Sequence, residues 1–438
     1  MNAGTDWLER AAGMNPDRLA IADPVERLTY EELRSRAGSV AAALVDEGVH
    51  PGDHVAIDLP PGAGHAVALH GAILAGAVTQ SMPASGRSGV PVASGVTFVD
   101  GGFLAESTGL PPLSHAAPRD AAAPLTRLLT SGTSGDPKPI ELTTSNHAAS
   151  AAASAQRLGV DPGDRWLCCL PLNHVAGLSV LVRSVIYGTG AVVEERFDVQ
   201  RVAALMEGGE VTLASLVPTQ LVRLLAADAP LGLPRLLLVG GGPLPLDVLD
   251  EALGRGATIV QTYGLTEACS QVCTLGPAEA RAHAGSAGRP LPGTDVRIED
   301  DEILVRGPTV APAAIAVDGW LHTGDHGRID DEGFLWVEGR RDDLIVSGGE
   351  NVRPERVEAA LREYPGVLDV GVAGAEDREW GQAVVAFVVS DPAARPDPAV
   401  LAEFAHARLA PPEVPKRFEF VDELPRTPSG KLLRRALL

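Results

Sequence analysis

From Leu28 to Asp46 the chain reads LTYEELRSRAGSVAAALVD. A short extended apolar start gives way to Leu33, Ala37, Val40, Ala41 and Leu44 at helical spacing, which predicts an amphipathic helix. Beyond it, apolar or β-branched runs recur at 54–59, 78–82, 96–99, 165–170, 191–193, 211–217, 236–239 and 258–261, separated by helical stretches. Such alternation predicts stacked α/β layers. Residues 84–124, rich in Ser, Gly, Pro and Ala, read as loop with one short strand, and no internal repeat stands out.

After about residue 285 the pattern changes to short strands with turns, at 295–298, 303–305 and 334–337, the last following the turn Asp330-Asp331-Glu332-Gly333. This predicts an antiparallel subdomain. The charged, glycine-led segment Gly339-Arg340-Arg341-Asp342-Asp343 suits a linker. Strands at 344–346, 367–373, 383–389 and 417–421 with helices at 354–362 and 398–409 then predict a small α+β unit. The fold class expected is α/β: an N-terminal domain of stacked layers plus antiparallel subdomain over 1–339, and a C-terminal α+β domain over 340–438.

Composition narrows the function classes. A formal charge of −21 over 438 residues argues against nucleic acid or an anionic membrane as partner, since both demand clustered Lys and Arg. No apolar run approaches the roughly 18 residues of a membrane helix. The N-terminus MNAGTDWLERAAG carries acids where a secretory leader carries bases and an apolar stretch, so the expected compartment is the cytoplasm. Cys168, Cys169, Cys269 and Cys273 fit reduced thiols, and the last two lack a second Cys or His pair at metal-site spacing.

The segment Leu129-Thr130-Ser131-Gly132-Thr133-Ser134-Gly135-Asp136-Pro137-Lys138 concentrates hydroxyls and glycines before a lysine. Glycines let successive N–H groups converge, hydroxyls add donors and Lys138 adds a cation, a combination suited to a polyphosphate. The spacing departs from the Walker pattern, which makes an ordinary P-loop NTPase unlike this chain. A plain surface turn is the alternative. The apolar run 124–129 predicts a strand leading in, and the Ala-rich segment from Ser145 predicts a helix with Ser145 as N-cap.

Six segments, in order, carry a resemblance: LTSGTSGDPKPI, LPLNHVAGLS, GGGPLP, QTYGLTEACSQ, GWLHTGDHGRIDDEGFLWVEGRRDDLIVSGGENVRPERVE and PRTPSGKLLR, spanning 129–434. Together they resemble the adenylate-forming enzymes, comprising acyl-CoA ligases, luciferases and peptide-synthetase adenylation domains. The stretches 168–179, 183–188 and 269–274 are similar to the o-succinylbenzoate–CoA ligase subfamily of menaquinone biosynthesis.

The resemblance implies ATP, Mg²⁺ and CoA as cofactors and co-substrates and a small carboxylic acid as substrate, and leaves a homodimer open. Lys431 matches the catalytic lysine on a C-terminal domain that is mobile in the family. Thr266 and Glu267 match the phosphate and magnesium positions. Thr130 to Gly135, Lys138, Gly241, Tyr263, Gly264, Asp325 and Arg340 match the ATP site. Asp342 matches the hinge, and Gly348 and Gly349 the thiol tunnel. His174, Arg183, Thr274 and Ser286 match acyl-pocket positions. Arg183 is suited to pair with the carboxylate that o-succinylbenzoate keeps while its other one is activated. Pro139 stands where the family loop carries glycine, which shifts the catalytic weight from Lys138 to Lys431. Loading of a carrier protein and a non-catalytic nucleotide-binding relative are the rival readings.

Overall fold

The computed structural model describes every residue except 1–6, 84–85, 114–115, 118, 132–136, 379, 393, 428–429 and 431, and the side chain of Ser131. Two compact units emerge: 1–296 with 305–321, and 297–304 with 322–438. Grouped this way, most of the antiparallel subdomain lies with the C-terminal segment, whereas composition places the division between 339 and 340.

The first unit holds two sheets. One runs Arg289–Pro290, Ser270–Leu275, Ile259–Leu265, Leu236–Gly240, Leu213–Leu216, Arg165–Cys168, Gly190–Val193, Leu19–Ala22, Arg27–Thr29. Its six middle strands are parallel, from Ile259–Leu265 across to Leu19–Ala22, with antiparallel partners at both margins. The interior strands are buried on both faces, which is why they read as continuous apolar runs rather than alternations. The other sheet orders Thr97–Val99, His54–Ile57, Val78–Ser81, Pro124–Ser131, Pro137–Thr143.

The predicted amphipathic helix spans Tyr30–Asp46, started by a Thr29–Glu32 capping box. Leu33, Ala37, Val40, Ala41 and Leu44 are all fully buried. Each leucine contributes roughly 1.5–3 kcal/mol by leaving water.

Three local expectations are corrected. The N-cap of the Ala-rich helix Thr144–Leu158 is Thr143, not Ser145, because Thr143 accepts from Asn146 N and Asn146 reciprocates. Between the hydroxyl-rich loop and that helix lies an additional strand, Pro137–Thr143, antiparallel to Pro124–Ser131. It forms the sheet margin, and its prolines at 137 and 139 are two apart, so both missing N–H groups fall on one side of an edge strand, where no ladder bond is needed. Within 84–124 a helix, Gly101–Ser107, forms on Asp100, whose carboxylate accepts from Gly102 and Phe103 N–H.

In the second unit, Leu321–Ile329 and Leu335–Arg340 form an antiparallel pair at one margin of a four-stranded sheet. The C-terminal sheet orders Glu350–Val352, Ile345–Ser347, Gly381–Ser390, Val367–Asp377, with Arg417–Phe420 added parallel to Gly381–Ser390. Val357 and Leu361 of helix Pro354–Arg362 and Leu401 and Ala405 of helix Pro398–His406 share one core with Val370, Val372, Val384, Ala386 and Val388. Among the described residues no helix is long and apolar enough to cross a membrane.

Candidate active site

In the first unit, Thr130 and Lys138 face each other across the hairpin that carries the hydroxyl-rich loop, and Thr130 Oγ1 donates to the Lys138 carbonyl at 3.4 Å. Gly132, Thr133, Ser134 and Gly135 fall outside the described residues, as does the side chain of Ser131. Gly241 follows the strand Leu236–Gly240 with φ +82°, a left-handed turn that glycine adopts without steric cost.

Tyr263 and Gly264 lie near the end of strand Ile259–Leu265, and Thr266 and Glu267 occupy the 3₁₀ turn Thr266–Ala268 that follows. Tyr263 is half-buried, so part of the ring remains available. A Cβ on Gly264 would overlap the carbonyl oxygen of Ser270, because the chain doubles back at once into strand Ser270–Leu275. The return is strained: Cys269 has φ +54° and Ser270 +93°, consecutive non-glycine residues in left-handed space. The turn is held at its ends, with Cys269 N donating to Thr266 O at 3.0 Å and Ala311 N to Glu267 O at 2.8 Å. The Glu267 carboxylate is half-buried and makes no hydrogen bond or ion pair among the described residues.

Arg183, on helix Val175–Tyr187, is only 3% exposed, which excludes a solvated helix face. Its guanidinium donates to Gln271 Oε1 at 2.9 Å and to Ser150 Oγ at 2.7 Å. Ser150 Oγ in turn donates to the strained Cys269 carbonyl at 2.6 Å. Gln271 Nε2 approaches Thr274 Oγ1 at 3.3 Å, and Thr274 Oγ1 lies 3.1 Å from Thr262 Oγ1. His147 lies alongside, 2.9 Å from Thr126 Oγ1. Burial, then the Arg183 charge, hold its pKa down to about 3. Burial pushes the Cys269 thiol up to about 12. Both neighbours are therefore neutral at pH 7. Among the described residues no carboxylate lies within ion-pair distance of Arg183.

The other acyl-pocket candidates are placed less tellingly. His174 is the N-cap residue of the Arg183 helix, half-buried, with its pKa lowered by desolvation. Ser286 is buried, and its hydroxyl accepts from Gly288 N at 3.3 Å.

In the second unit, Asp325 and Arg340 sit opposite each other in register, with Arg340 Nε 3.0 Å from Asp325 Oδ1. Asp325 N donates to Thr323 Oγ1 at 3.0 Å, and that hydroxyl donates to Ile303 O at 2.7 Å. The aspartate side chain is 9% exposed and thus fixed by its surroundings. Asp342 is exposed in the 3₁₀ turn Arg341–Asp343 directly after Arg340. Gly348 and Gly349 form the two-residue turn between Ile345–Ser347 and Glu350–Val352, at φ +61° and +84°, as a type I′ hairpin requires. A Cβ on Gly348 would also lie 2.9 Å from the Trp380 ring. Lys431 falls outside the described residues.

Ser150, Gln271 and His147 carry no role in the sequence reading. A signal was present: on helix Thr144–Leu158, His147, Ser150 and Ser154 recur at helical spacing, and all are buried. A polar stripe on the inner face of an Ala-rich helix implies polar partners inside.

The model of the AMP-binding enzyme family matches residues 8–88 and 85–317, and that of the AMP-binding enzyme C-terminal domain matches 356–431. The 2-succinylbenzoate–CoA ligase of Bacillus licheniformis is 38% identical over 474 aligned residues, covering 99% of each chain. The solved structure of o-succinylbenzoate CoA synthetase from Bacillus subtilis with the acyl-adenylate intermediate OSB-AMP matches with TM-score 0.89 at 36% identity, over 99% of this chain and 97% of that one. The same Bacillus subtilis enzyme with ATP and magnesium ion gives TM-score 0.88 at 35% identity, over 99% of both chains. With both family models matched in order and relatives similar along its whole length, the chain belongs to the AMP-binding enzyme family.

Proposed function

We propose that this protein is an AMP-forming acid–thiol ligase that activates o-succinylbenzoate as its acyl-adenylate, releasing pyrophosphate, and then transfers the acyl group to CoA. The observation that carries the substrate assignment is Arg183, a buried cation whose hydrogen-bond partners among the described residues are all neutral. An uncompensated buried charge is costly. A dicarboxylic acid removes that cost when its second carboxylate enters, so binding energy comes from a charge the folded chain already holds in place.

In the first half-reaction the acid's reacting carboxylate attacks the α-phosphorus of ATP and pyrophosphate leaves. Negative charge collects on the phosphoryl oxygens, so fixed donors and cations matter more than a base. Tyr263 presents a face for the adenine, and Asp325 accepts from the ribose hydroxyls. Thr266 donates to a phosphate oxygen, with Thr130 and Lys138 on the pyrophosphate side. A carboxylate with no partner among the described residues, beside a hydroxyl, suits a hard cation, so Glu267 with Thr266 would hold Mg²⁺, which neutralises phosphate charge when bound. Lys431 supplies the cation at the α-phosphate.

In the second half-reaction the CoA thiol displaces AMP from the acyl carbon. The C-terminal segment turns at Asp342 to withdraw Lys431 and bring Gly348 and Gly349 to the thiol path. The exposure of Asp342 beside Arg340 supports a pivot there.

The test is acid-dependent exchange of pyrophosphate into ATP, followed by thioester formation with CoA, across aryl and dicarboxylic acids. The expected result is o-succinylbenzoate far ahead of analogues lacking its second carboxylate. Exchange with no acid in the panel refutes the enzyme reading; exchange without CoA thioester moves the acceptor to a carrier protein.

A further inference from the structure

Helix Thr144–Leu158 meets the turn that bears Glu267 at two places. Asn146 Nδ2 donates to the carbonyls of Pro308 and Val310, at 2.9 and 3.0 Å, and Ala311 N beside them donates to Glu267 O. One turn further along the helix, Ser150 Oγ donates to the Cys269 carbonyl at 2.6 Å. Cys269 N closes the same turn onto Thr266 O, so both backbone polar groups of Cys269 are engaged, one with the turn and one with Ser150. Its thiol lies 3.7 Å from His147 Nδ1, on the same helix.

These contacts fall where the backbone most needs them. Cys269 and Ser270 lie in left-handed space without being glycine, and such conformations persist only where neighbours over-determine them. The Cys269 carbonyl belongs to the rigid peptide plane that joins the two residues, so the Ser150 bond fixes ψ of one and φ of the other together. Ser150 itself is 2% exposed, and Arg183 Nη2 donates to its oxygen at 2.7 Å. A hydroxyl has a single proton. With the guanidinium on its acceptor side, that proton is left for the carbonyl, and each bond polarises the next. Guanidinium, hydroxyl and carbonyl therefore form one chain, running from the acyl-pocket cation to the strained return of the Glu267 turn.

We propose that Ser150 is a positioning residue that couples the two ends: a carboxylate held at Arg183 steadies the turn bearing Thr266 and Glu267, and nucleotide with metal at that turn orients Arg183 for the carboxylate. Coupling of this kind is reciprocal. Ser150 acts on neither ligand directly. The inference rests on the reading of Arg183 as the cation for the second carboxylate and of Glu267 as the metal carboxylate.

The experiment measures, by isothermal titration of the full-length protein, how much α,β-methylene-ATP with Mg²⁺ tightens the binding of two acids: o-succinylbenzoate and the analogue whose non-reacting carboxylate is replaced by hydrogen. The monoacid reports any tightening that does not pass through Arg183, so the excess shown by the dicarboxylate is the quantity scored. In the parent the excess should be about fivefold or more, the low end of the usual range for linked sites. In S150A it should shrink to within about twofold of none, with binding of the monoacid kept. S150C, nearly the same size with a weaker donor, should fall between them, and it serves if S150A does not fold. In R183M the excess should vanish, and adding S150A to R183M should change nothing further. The inference is overturned if the parent shows no excess, or if S150A keeps the parent's excess. It is overturned equally if S150A weakens every ligand alike, the result expected of a structural role. Should R183M bind the dicarboxylate, or E267Q the magnesium nucleotide, as the parent does, the reading of that residue fails first and the inference with it, an outcome distinct from a failure confined to S150A.

Discussion

Arg183→Met is the substitution with the most sharply defined consequence. Methionine keeps the apolar stem of the side chain and lacks the guanidinium head, so the change removes charge and donors with a modest loss of volume. In the unliganded protein two opposing effects arise. Two charge-assisted hydrogen bonds, to Gln271 Oε1 and Ser150 Oγ, disappear at about 1.5–3 kcal/mol each. Against this, the desolvation cost of a cation with no carboxylate partner among the described residues disappears as well, several kcal/mol by itself. The net change in stability should therefore be small, about 1 kcal/mol in either direction by that difference. Ser150 keeps its acceptor, the Cys269 carbonyl.

The effect on substrate is one-sided. A bound second carboxylate would sit in the same interior without its cation, and losing one partner of such a pair costs about 2–5 kcal/mol. That translates into roughly 30- to 4000-fold in kcat/KM, at 1.4 kcal/mol per factor of ten. The assay is coupled pyrophosphate release with o-succinylbenzoate and with the analogue in which the non-reacting carboxylate is replaced by hydrogen. The variant should lose its preference for the dicarboxylate and handle the monoacid about as the parent does. Equal losses on both acids, or none on either, would refute the role given to the buried cation.

Other perturbations test other parts. Lys431→Ala should slow adenylation by about 3 kcal/mol, the value of one transition-state donor, yet leave thioester formation from supplied acyl-adenylate intact; loss of both would defeat the rotation account. Gly264→Ala should abolish ATP binding by isothermal titration, because a Cβ there overlaps the Ser270 carbonyl and the turn bearing Glu267 cannot keep its path; retained affinity would contradict the hairpin geometry. Stability should fall in mild acid. Burial lowers His65 and His70 to about 4 and burial with the Arg183 charge lowers His147 to about 3, all below the unfolded value near 6.5. Their contribution is complete above about pH 6.5 and is lost as pH drops from there toward the folded values. Since His70 Nε2 is buried without a partner among the described residues, His70→Leu should flatten the slope of unfolding free energy by about 1.4 kcal/mol per pH unit between about pH 6 and 4.5. An unchanged slope in urea titrations would count against it.

Local order was written plainly in the sequence wherever one face or one run decided the structure. The five apolar positions from Leu33 to Leu44 specify their helix because helical period alone brings them together. The runs read at 165–170, 211–217 and 236–239 each mark a buried strand, at 165–168, 213–216 and 236–240, because a short apolar run is what a strand covered on both faces requires. Pro354 to Arg362 forms the helix its pattern predicts, residue for residue. Periodicity failed at 270–275 and 137–143, where pairing across a hairpin, a long-range property, makes the strand. Nucleotide-site roles for Tyr263, Glu267, Asp325 and Arg340 came from the family resemblance, and the structure adds that Asp325 and Arg340 form an ion pair.

Tertiary structure alone decided the character of Arg183. In the sequence it sits within an apolar helix, VAGLSVLVRSVIY, and could equally have snorkelled to water. Only the approach of Ser150 from one helix and Gln271 from a distant strand fixes it in the interior, 33 and 88 residues away along the chain. Only that same packing leaves it without a carboxylate among the described residues. A side chain's charge is set by composition, but whether that charge is hydrated, paired or held waiting for a ligand depends on which remote groups the fold delivers, and no local pattern encodes them.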